Sequence, residues 1–233
     1  MSQAREKIII NDVGPRDGLQ NQAKILSPAE RVQLIQALIA AGINNIEIGS
    51  FVSPKAVPAM AGAGEVFAGL PTGDQYNFSA LIPNRRGYDL AKAAGVKTMG
   101  MVIAASETMN HKNINMSNEQ ALAVTAEILA QAKEDGLNVL AYIATAWECP
   151  FEGAIAESTV LELCGKLIDL GATEVSFADT IGAATPAQAK SIMSEAVSQF
   201  GAEKVFCHFH DTRAMGVANV FAAVEAGVRK FDS

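Results

Sequence analysis

The sequence predicts an α/β fold in which residues 1–233 form a single (β/α)8 TIM barrel, with the chain ending in strand 8. Three observations support this prediction. The length of 233 residues is close to the roughly 250 residues typical of such a barrel. Glycines recur where helices are expected to end. Eight β-prone runs alternate with helical segments, at intervals of roughly 30 residues.

The glycines mark joints at which a helix ends and the next strand begins. Glycine is favoured just past the last helical residue because it adopts the left-handed backbone conformation without steric cost. At five places a glycine precedes a short β-prone run: "AAGINNIEIGS", "AAGVKTMGMVI", "EDGLNVLAYIA", "DLGATEVSFAD" and "EAGVRKFDS". Each is therefore predicted to connect a helix to the following strand.

Three helices also carry start signals. In "SPAERVQLIQALIAAG", Ser27 is the predicted N-cap, Pro28 the first helical residue and Glu30 the partner in a capping box. The apolar residues of this segment recur on one face, as expected of a helix that covers a sheet. The same device is predicted at two later helices, with Ser117 and Gln120 in one and Thr185, Pro186 and Gln188 in the other.

The β-prone runs fall at residues 7–13, 44–49, 76–82, 97–103, 137–144, 173–178, 204–210 and 229–232. Strands that alternate with helices form parallel sheets, and eight of them favour a closed barrel over an open doubly wound sheet. The chain has no glycine-rich phosphate loop of the G-x-G-x-x-G or Walker type. This weakens the open, nucleotide-binding alternative.

Composition excludes several classes of partner. The formal net charge is -7, and no cluster of Lys and Arg is present, so a nucleic-acid surface is not expected. No segment reaches the roughly 18 apolar residues of a membrane span, and the N-terminus does not resemble a signal peptide. The three cysteines lack metal-knuckle spacing and are expected to be free thiols in a reducing, cytoplasmic compartment.

Polar residues are predicted to gather at one rim of the barrel. The active sites of such barrels are built from the loops that leave the carboxyl ends of the strands. Arg16 and Asp17 follow strand 1, and Glu47 lies near the end of strand 2. Asp179 follows strand 6, and the pair His208 and His210 closes strand 7.

The segment "HFH" is the most specific signal for a metal site. Because side chains alternate along a strand, His208 and His210 share one face, while Cys207 and Phe209 point the other way. Two neighbouring buried imidazoles are readily satisfied by a cation. The competing interpretation is a pair of core histidines bonded to polar neighbours. With Asp17 offered from strand 1, the set suits Mg²⁺ or Mn²⁺, with Zn²⁺ as the alternative.

Arg16 would then lie beside the metal, where its guanidinium could stabilise a developing oxyanion or enolate. His111, in "NHKNIN", is predicted to be an exposed residue of a polar loop. A binuclear zinc hydrolase of the barrel class fits poorly. Its pattern has His-x-His on the first strand and further histidines on later strands, whereas here the pair is on strand 7 and only His111 remains.

Several motifs together resemble the 3-hydroxy-3-methylglutaryl-CoA lyase family, a branch of the metal-dependent lyase and synthase barrels. The resemblance runs from residue 7 to the end and is carried by "VGPRDGLQNQ", "IEIGSFVSPKAVPAM", "KNIN", "ECPFEG", "ADTIG" and "HFHDT". The extended "GPRDGLQN" and "SFVSPK" are specific to the lyase branch. The resemblance implies an acyl-CoA thioester substrate and a role in leucine breakdown.

The resemblance also assigns roles. It implies that Asp17, His208 and His210 bind the cation and that Arg16 stabilises the enolate of acetyl-CoA. Glu47 would help to orient the substrate and the metal site. His208 is a candidate for proton transfer as well, and the further residues implied as substrate neighbours are Gln20 and Asn113. The implied reaction is a retro-Claisen cleavage of 3-hydroxy-3-methylglutaryl-CoA, or of a 3-hydroxy-3-alkylglutaryl-CoA, to acetyl-CoA and a β-keto acid.

The sequence departs from the family pattern at its end. The family has a glycine-rich loop after strand 8 with a catalytic cysteine, followed by an asparagine ligand, whereas this chain ends at "KFDS". The expectation is a C-terminally incomplete barrel, with apolar surface that favours association into a homo-oligomer or instability. Two alternatives therefore stay open: a related aldolase or condensing synthase, and a catalytically silent barrel fragment.

Overall fold

The computed structural model describes residues 7–233. Eight parallel strands form one sheet, in which every strand pairs with its neighbours in the order β1-β8-β7-β6-β5-β4-β3-β2. The strands are β1 Ile9–Asn11, β2 Asn45–Ser50, β3 Asn77–Leu81, β4 Thr98–Ala104, β5 Asn138–Ala144, β6 Glu174–Asp179, β7 Val205–Phe209 and β8 Lys230–Asp232. Each observed strand overlaps the run predicted for it.

The sheet closes on itself between β1 and β2. The backbone N–H of Asp12 donates to Asn45 O at 2.9 Å, and the N–H of Glu47 donates to Asp12 O at 2.9 Å. On the other side of β1, Asn11 pairs in register with Asp232 of β8. The predicted (β/α)8 barrel is therefore confirmed.

Helices cover the outside of this sheet. They are α1 Pro28–Ala40, α2 Ala63–Ala68, α3 Arg85–Ala94, α4 Glu107–Ile114, α5 Asn118–Asp135, α6 Glu157–Asp169, α7 Pro186–Phe200 and α8 Gly216–Glu225. The capping boxes predicted at Ser27, Ser117 and Thr185 are all present, with both reciprocal hydrogen bonds formed. No helix within residues 7–233 is long and apolar enough to cross a membrane.

The glycine joints have the backbone conformation that the sequence requires. All five predicted glycines have a positive φ, and Gly95 and Gly136 end α3 and α5 in the left-handed region. Their N–H groups donate back to the last turns of those helices. Each helix therefore ends at a fixed residue, and the following strand enters the sheet in register.

Two apolar layers hold the barrel together. The larger one lies between the strands and the helices and includes Ile46, Phe177 and Phe231. The smaller one fills the inside of the barrel, where Tyr142 and Phe206 meet edge to face with ring centroids 5.4 Å apart. Lys230 lies 4.7 Å above the Phe206 ring. This inner layer forms the floor beneath the polar residues of the upper rim.

Two local predictions are corrected by the structure. His111 is exposed, as expected, but it lies in α4 rather than in a polar loop. Glu107, in the first turn of α4, forms an i,i+4 pair with His111 and accepts a hydrogen bond from Asn118 N, which supports this short helix. Glu47 is the third of six residues in β2 and is fully buried, so it lies inside the barrel rather than near the strand's end. The three cysteines are free and buried.

Candidate functional site

A π-helical turn over Gly14–Gly18 carries the Arg-Asp pair to the mouth of the barrel. The turn begins directly after β1, where the N–H groups of Arg16 and Asp17 both donate to Val13 O. Asp12 Oδ1 accepts from Gly14 N at 3.0 Å and fixes the entry to the turn. The wide turn allows two adjacent side chains to reach the same site from one short segment.

Arg16 lies between two carboxylates. Its Nε donates to Oε2 of Glu47, and its Nη1 donates to Oδ1 of Asp17 at 2.6 Å. The Glu47 side chain is only 1% exposed, and its other oxygen, Oε1, has no hydrogen-bond partner among residues 7–233. The guanidinium is therefore held on two sides, because charge-assisted hydrogen bonds of this kind are strong and directional.

Asp17, His208 and His210 bring three potential ligand atoms together. His208 Nε2 lies 3.2 Å from His210 Nε2, and Asp17 Oδ2 lies 3.3 Å from His210 Nε2 and 3.8 Å from His208 Nε2. Two ligands at right angles around one ion, each about 2.1 Å from it, are about 3 Å apart. The spacing therefore fits a single divalent cation. Within residues 7–233, this is the one cluster of three such residues that could hold an ion.

Each imidazole has a partner on its far nitrogen. His208 Nδ1 lies 3.0 Å from Oδ2 of Asp232, and His210 Nδ1 lies 2.7 Å from the carbonyl oxygen of Thr180. Thr180 is itself fixed, because its Oγ1 accepts from the N–H of Thr145 at 2.8 Å. Contacts of this kind orient histidine ligands and leave Nε2 free for a cation.

The charged groups of the site shift one another's pKa values. A hydrogen bond from His210 lowers the pKa of Asp17 to about 2, assisted by the charge of Arg16 and opposed by burial. The same hydrogen bond raises the pKa of His210. Burial raises the pKa of Glu47, and the neighbouring Arg16 works against that rise. Asp17 is therefore available as an anionic ligand over the whole physiological pH range.

A cavity of about 440 Å³ opens in front of these groups. Gln20 and Asn113, predicted as substrate neighbours, both line it, together with Tyr142 and Thr180. The apolar part of the lining includes Val52, Val57, Leu81, Val102, Met109 and Ile114. One cavity thus combines a charged end with an apolar wall, as small-molecule sites commonly do.

The structure brings together every predicted site residue, and it reveals three that sequence reasoning missed. Asn11, Asp232 and Thr180 support the two histidines. Asp232 could have been found from strand alternation, because it lies in the last strand next to His208. Asp179, predicted at the rim, ends β6 and accepts hydrogen bonds from Ala183 N and Ala184 N, so it shapes the turn that carries Thr180.

A family model described as HMGL-like matches residues 7–233. Among curated proteins, the chain is 41% identical to the hydroxymethylglutaryl-CoA lyase of Pseudomonas mevalonii over 98% of this chain and 76% of that protein. It is 40% identical to the (R)-citramalyl-CoA lyase of Chloroflexus aurantiacus over 98% of this chain and 75% of that protein.

A solved structure agrees with these matches. The HMG-CoA lyase of Acinetobacter baumannii, in complex with coenzyme A and 3-methylmalate, superimposes with a TM-score of 0.95 at 37% identity. The superposition covers 100% of this chain and 76% of the other.

Proposed function

The chain belongs to the HMGL-like family, and on that premise we propose that it cleaves 3-hydroxy-3-methylglutaryl-CoA to acetyl-CoA and acetoacetate. The tertiary 3-hydroxyl loses its proton, and the bond between C2 and C3 breaks. The electron pair of that bond passes to C2 and forms the enolate of acetyl-CoA, which then takes up a proton. Residues 1–233 contribute to this reaction as one barrel domain.

One observation carries the proposal: a set of cation ligands and a clamped arginine open into the same cavity. Asp17 joins the two parts, since Oδ1 accepts from Arg16 and Oδ2 faces the imidazoles. The reaction needs positive charge at two positions, at the hydroxyl that loses a proton and at the thioester oxygen that gains charge. The site offers both from one group of side chains.

Asp17, His208 and His210 are the proposed ligands of Mg²⁺ or Mn²⁺. A mixed set of two nitrogens and one oxygen suits these ions, and the ion would lower the pKa of the substrate's hydroxyl. Proton transfer by His208 would also use Nε2, the atom that faces the other ligands. Ligation and proton transfer by His208 therefore compete for one atom.

Arg16 is the proposed stabiliser of the enolate, and Glu47 is its positioning partner. Because Nε and Nη1 are engaged by carboxylates, the guanidinium cannot rotate freely, and its remaining donors keep one direction. A donor group that is already oriented costs no reorganisation when negative charge develops. Gln20 and Asn113, on the cavity wall, are proposed to contact the acyl-CoA substrate.

A second candidate substrate is (R)-citramalyl-CoA, favoured by the 40% identity to the enzyme named for it. Its carboxylate is attached directly to the carbinol carbon, whereas 3-hydroxy-3-methylglutaryl-CoA has one methylene between the two. The same bond cleavage would yield acetyl-CoA and pyruvate instead of acetoacetate. The second product therefore identifies the substrate class.

The test is to incubate the protein with each acyl-CoA and with Mg²⁺ or Mn²⁺, and to measure acetyl-CoA, acetoacetate and pyruvate. Acetoacetate from the glutaryl substrate at a higher kcat/KM supports the proposal. Pyruvate as the favoured product supports the second candidate. Metal binding without cleavage of either compound would contradict both and favour a condensing relative or a silent barrel.

We also propose a cytoplasmic location, supported by three buried free thiols that suit a reducing compartment. Assembly as a homo-oligomer is proposed from exposed apolar residues on α8, where Val217 is 81% and Phe221 66% exposed. Light scattering during size-exclusion chromatography measures the assembly directly, and a monomer at all concentrations would contradict it.

A further inference from the structure

Asp232 is a buried carboxylate with two defined partners. Its side chain is fully excluded from solvent. Oδ1 accepts from Asn11 Nδ2 at 2.8 Å, and Oδ2 lies 3.0 Å from His208 Nδ1. The three residues come from adjacent strands, because β1 pairs with β8 and β8 pairs with β7. They form a line across the inside of the barrel that ends at the proposed cation site.

The chemistry of the carboxylate determines the tautomer of His208. A carboxylate oxygen only accepts hydrogen bonds, so at 3.0 Å the hydrogen must reside on His208 Nδ1. The lone pair of the neutral ring is then on Nε2. This is the atom that lies 3.2 Å from His210 Nε2 and 3.8 Å from Asp17 Oδ2. The contact therefore selects the tautomer that can bind a cation at this site.

We propose that Asn11 and Asp232 are positioning residues for His208: Asp232 holds the ring in its Nδ1-protonated tautomer, and Asn11 holds Asp232 in the orientation that makes this possible. The inference rests on the cation site of the proposed function. Asn11 is only 4% exposed and pairs in register with Asp232, so its amide reaches Oδ1 without competition from water. Burial keeps these contacts strong.

His210 is held differently, which provides an internal comparison. Its Nδ1 contacts the backbone carbonyl of Thr180, a partner that no side-chain substitution removes. The Nδ1 partner of His208 is one replaceable side chain, whereas the Nδ1 partner of His210 is the backbone. Substitutions at Asp232 and Asn11 should therefore change the protonation of His208 Nδ1 and leave the hydrogen on His210 Nδ1 in place.

The experiment uses the full chain, labelled with ¹⁵N-histidine and free of metal, with Asp232→Asn and Asn11→Leu as variants. The chain has only three histidines, so long-range ¹H–¹⁵N spectra can report each ring separately. The expected result is an Nδ1–H tautomer for His208 in the parent protein and a shift toward Nε2–H in Asp232→Asn. A parent protein with His208 in the Nε2–H form would overturn the proposal.

Affinity for Mn²⁺, measured by electron paramagnetic resonance, is the second readout. We expect Asp232→Asn to weaken binding by about 10- to 100-fold, as loss of an outer partner of a histidine ligand typically does. Asn11→Leu, close in size, should weaken it less but in the same direction, and it remains informative if Asp232→Asn fails to fold. The matched control is Ser79→Ala, a buried hydroxyl of β3 without a hydrogen-bond partner in the described structure.

The possible results separate the two proposals. Parent-like Mn²⁺ affinity in both folded variants would overturn the positioning role and leave the cation site intact. Failure of the parent protein to bind Mn²⁺ would contradict the proposed function. The tautomer of His208 in the metal-free protein would still test the positioning role in that case.

Discussion

Nε of Arg16 donates a hydrogen bond to Oε2 of Glu47, a carboxylate buried inside the barrel on the neighbouring strand β2. Arg16 is attached to the turn after β1, so this contact spans the place where the barrel closes. Glu47 holds the guanidinium of Arg16 at the mouth of the cavity from inside the barrel, and Asp17 holds it from the side. The orientation of the guanidinium is thus built into the barrel wall.

Glu47→Gln is expected to lower kcat by about 10- to 100-fold, because Arg16 loses its charged partner and its donors lose their fixed direction. KM should change little if the arginine acts mainly on the developing enolate. Steady-state kinetics with 3-hydroxy-3-methylglutaryl-CoA measure both constants. The matched control is Glu174→Gln, because Glu174 also lies inside the barrel, near the end opposite the site, and pairs with Lys230. Equal losses in both variants would show that the effect is not specific to Arg16.

Loss of an outer partner of a metal ligand typically weakens binding by about 10- to 100-fold. Asp17→Asn is expected to weaken Mn²⁺ binding by more than this. The substitution removes the only anionic ligand of the proposed set. Titration calorimetry of metal-free protein measures the loss, and chelation of the parent protein with EDTA should abolish cleavage until Mn²⁺ is restored. Asp74→Asn, on the exposed surface, is the control. Unchanged affinity in Asp17→Asn would place the cation elsewhere.

The barrel and its polar rim were predictable because both depend on local patterns. Capping residues such as Ser27 and the glycines at helix ends act within a few residues, and two-residue alternation places His208 and His210 on one face. The burial of Glu47 was not predictable in the same way. Glu47 lies in the middle of β2, and the register of β2 with β3 shifts only beyond it, between Glu47 and Ser50, so a run of β-prone residues does not show how deep its side chain lies.

The supporting contacts of the histidines escaped prediction for a different reason. Asn11 and Asp232 are separated by 221 positions in the chain and meet only because the closed barrel pairs its first and last strands. Thr180 contributes a backbone carbonyl, which any residue type possesses. Strand alternation could have placed Asp232 on the inner face of β8, but the partner that it meets there depends on closure, which a single sequence does not reveal.

All three thiols are expected to be unreactive in the folded protein, because all three are buried away from reagents. Burial raises the pKa of Cys164 to about 12 and raises that of Cys207 well above its ordinary value. With a pKa of about 12, only about 10⁻⁴ of a thiol is ionised near pH 8, and the thiolate is the reactive form. Reaction with Ellman's reagent should be absent in buffer and should give three equivalents in urea. Rapid native reaction of one cysteine would contradict the burial of that residue.

Arg31 is a fully buried arginine in α1 that binds backbone rather than a carboxylate. Nη1 donates to Ala59 O at 3.1 Å, and Nη2 donates to Ala61 O at 2.7 Å. These carbonyls belong to the segment between β2 and α2, whose Val57 lines the cavity. The side chain therefore fastens this segment against α1.

Arg31→Met is expected to lower the free energy of unfolding by about 2–4 kcal/mol, because it leaves the buried carbonyl of Ala59 and the partly buried carbonyl of Ala61 without their donors. KM should also rise, since the segment that carries Val57 is no longer held. Arg31→Lys should recover part of both losses, because an ammonium can still donate to one carbonyl.

Urea unfolding and steady-state kinetics check these expectations. Arg86→Met is the control, since Arg86 is an exposed arginine at the start of α3, so a change within about 0.5 kcal/mol is expected there. If Arg31→Met unfolds at the same urea concentration as the parent protein, the buried guanidinium makes no net contribution to the free energy of unfolding. A large loss of stability with an unchanged KM would instead restrict its role to folding, because the cavity wall would then keep its shape without the two hydrogen bonds.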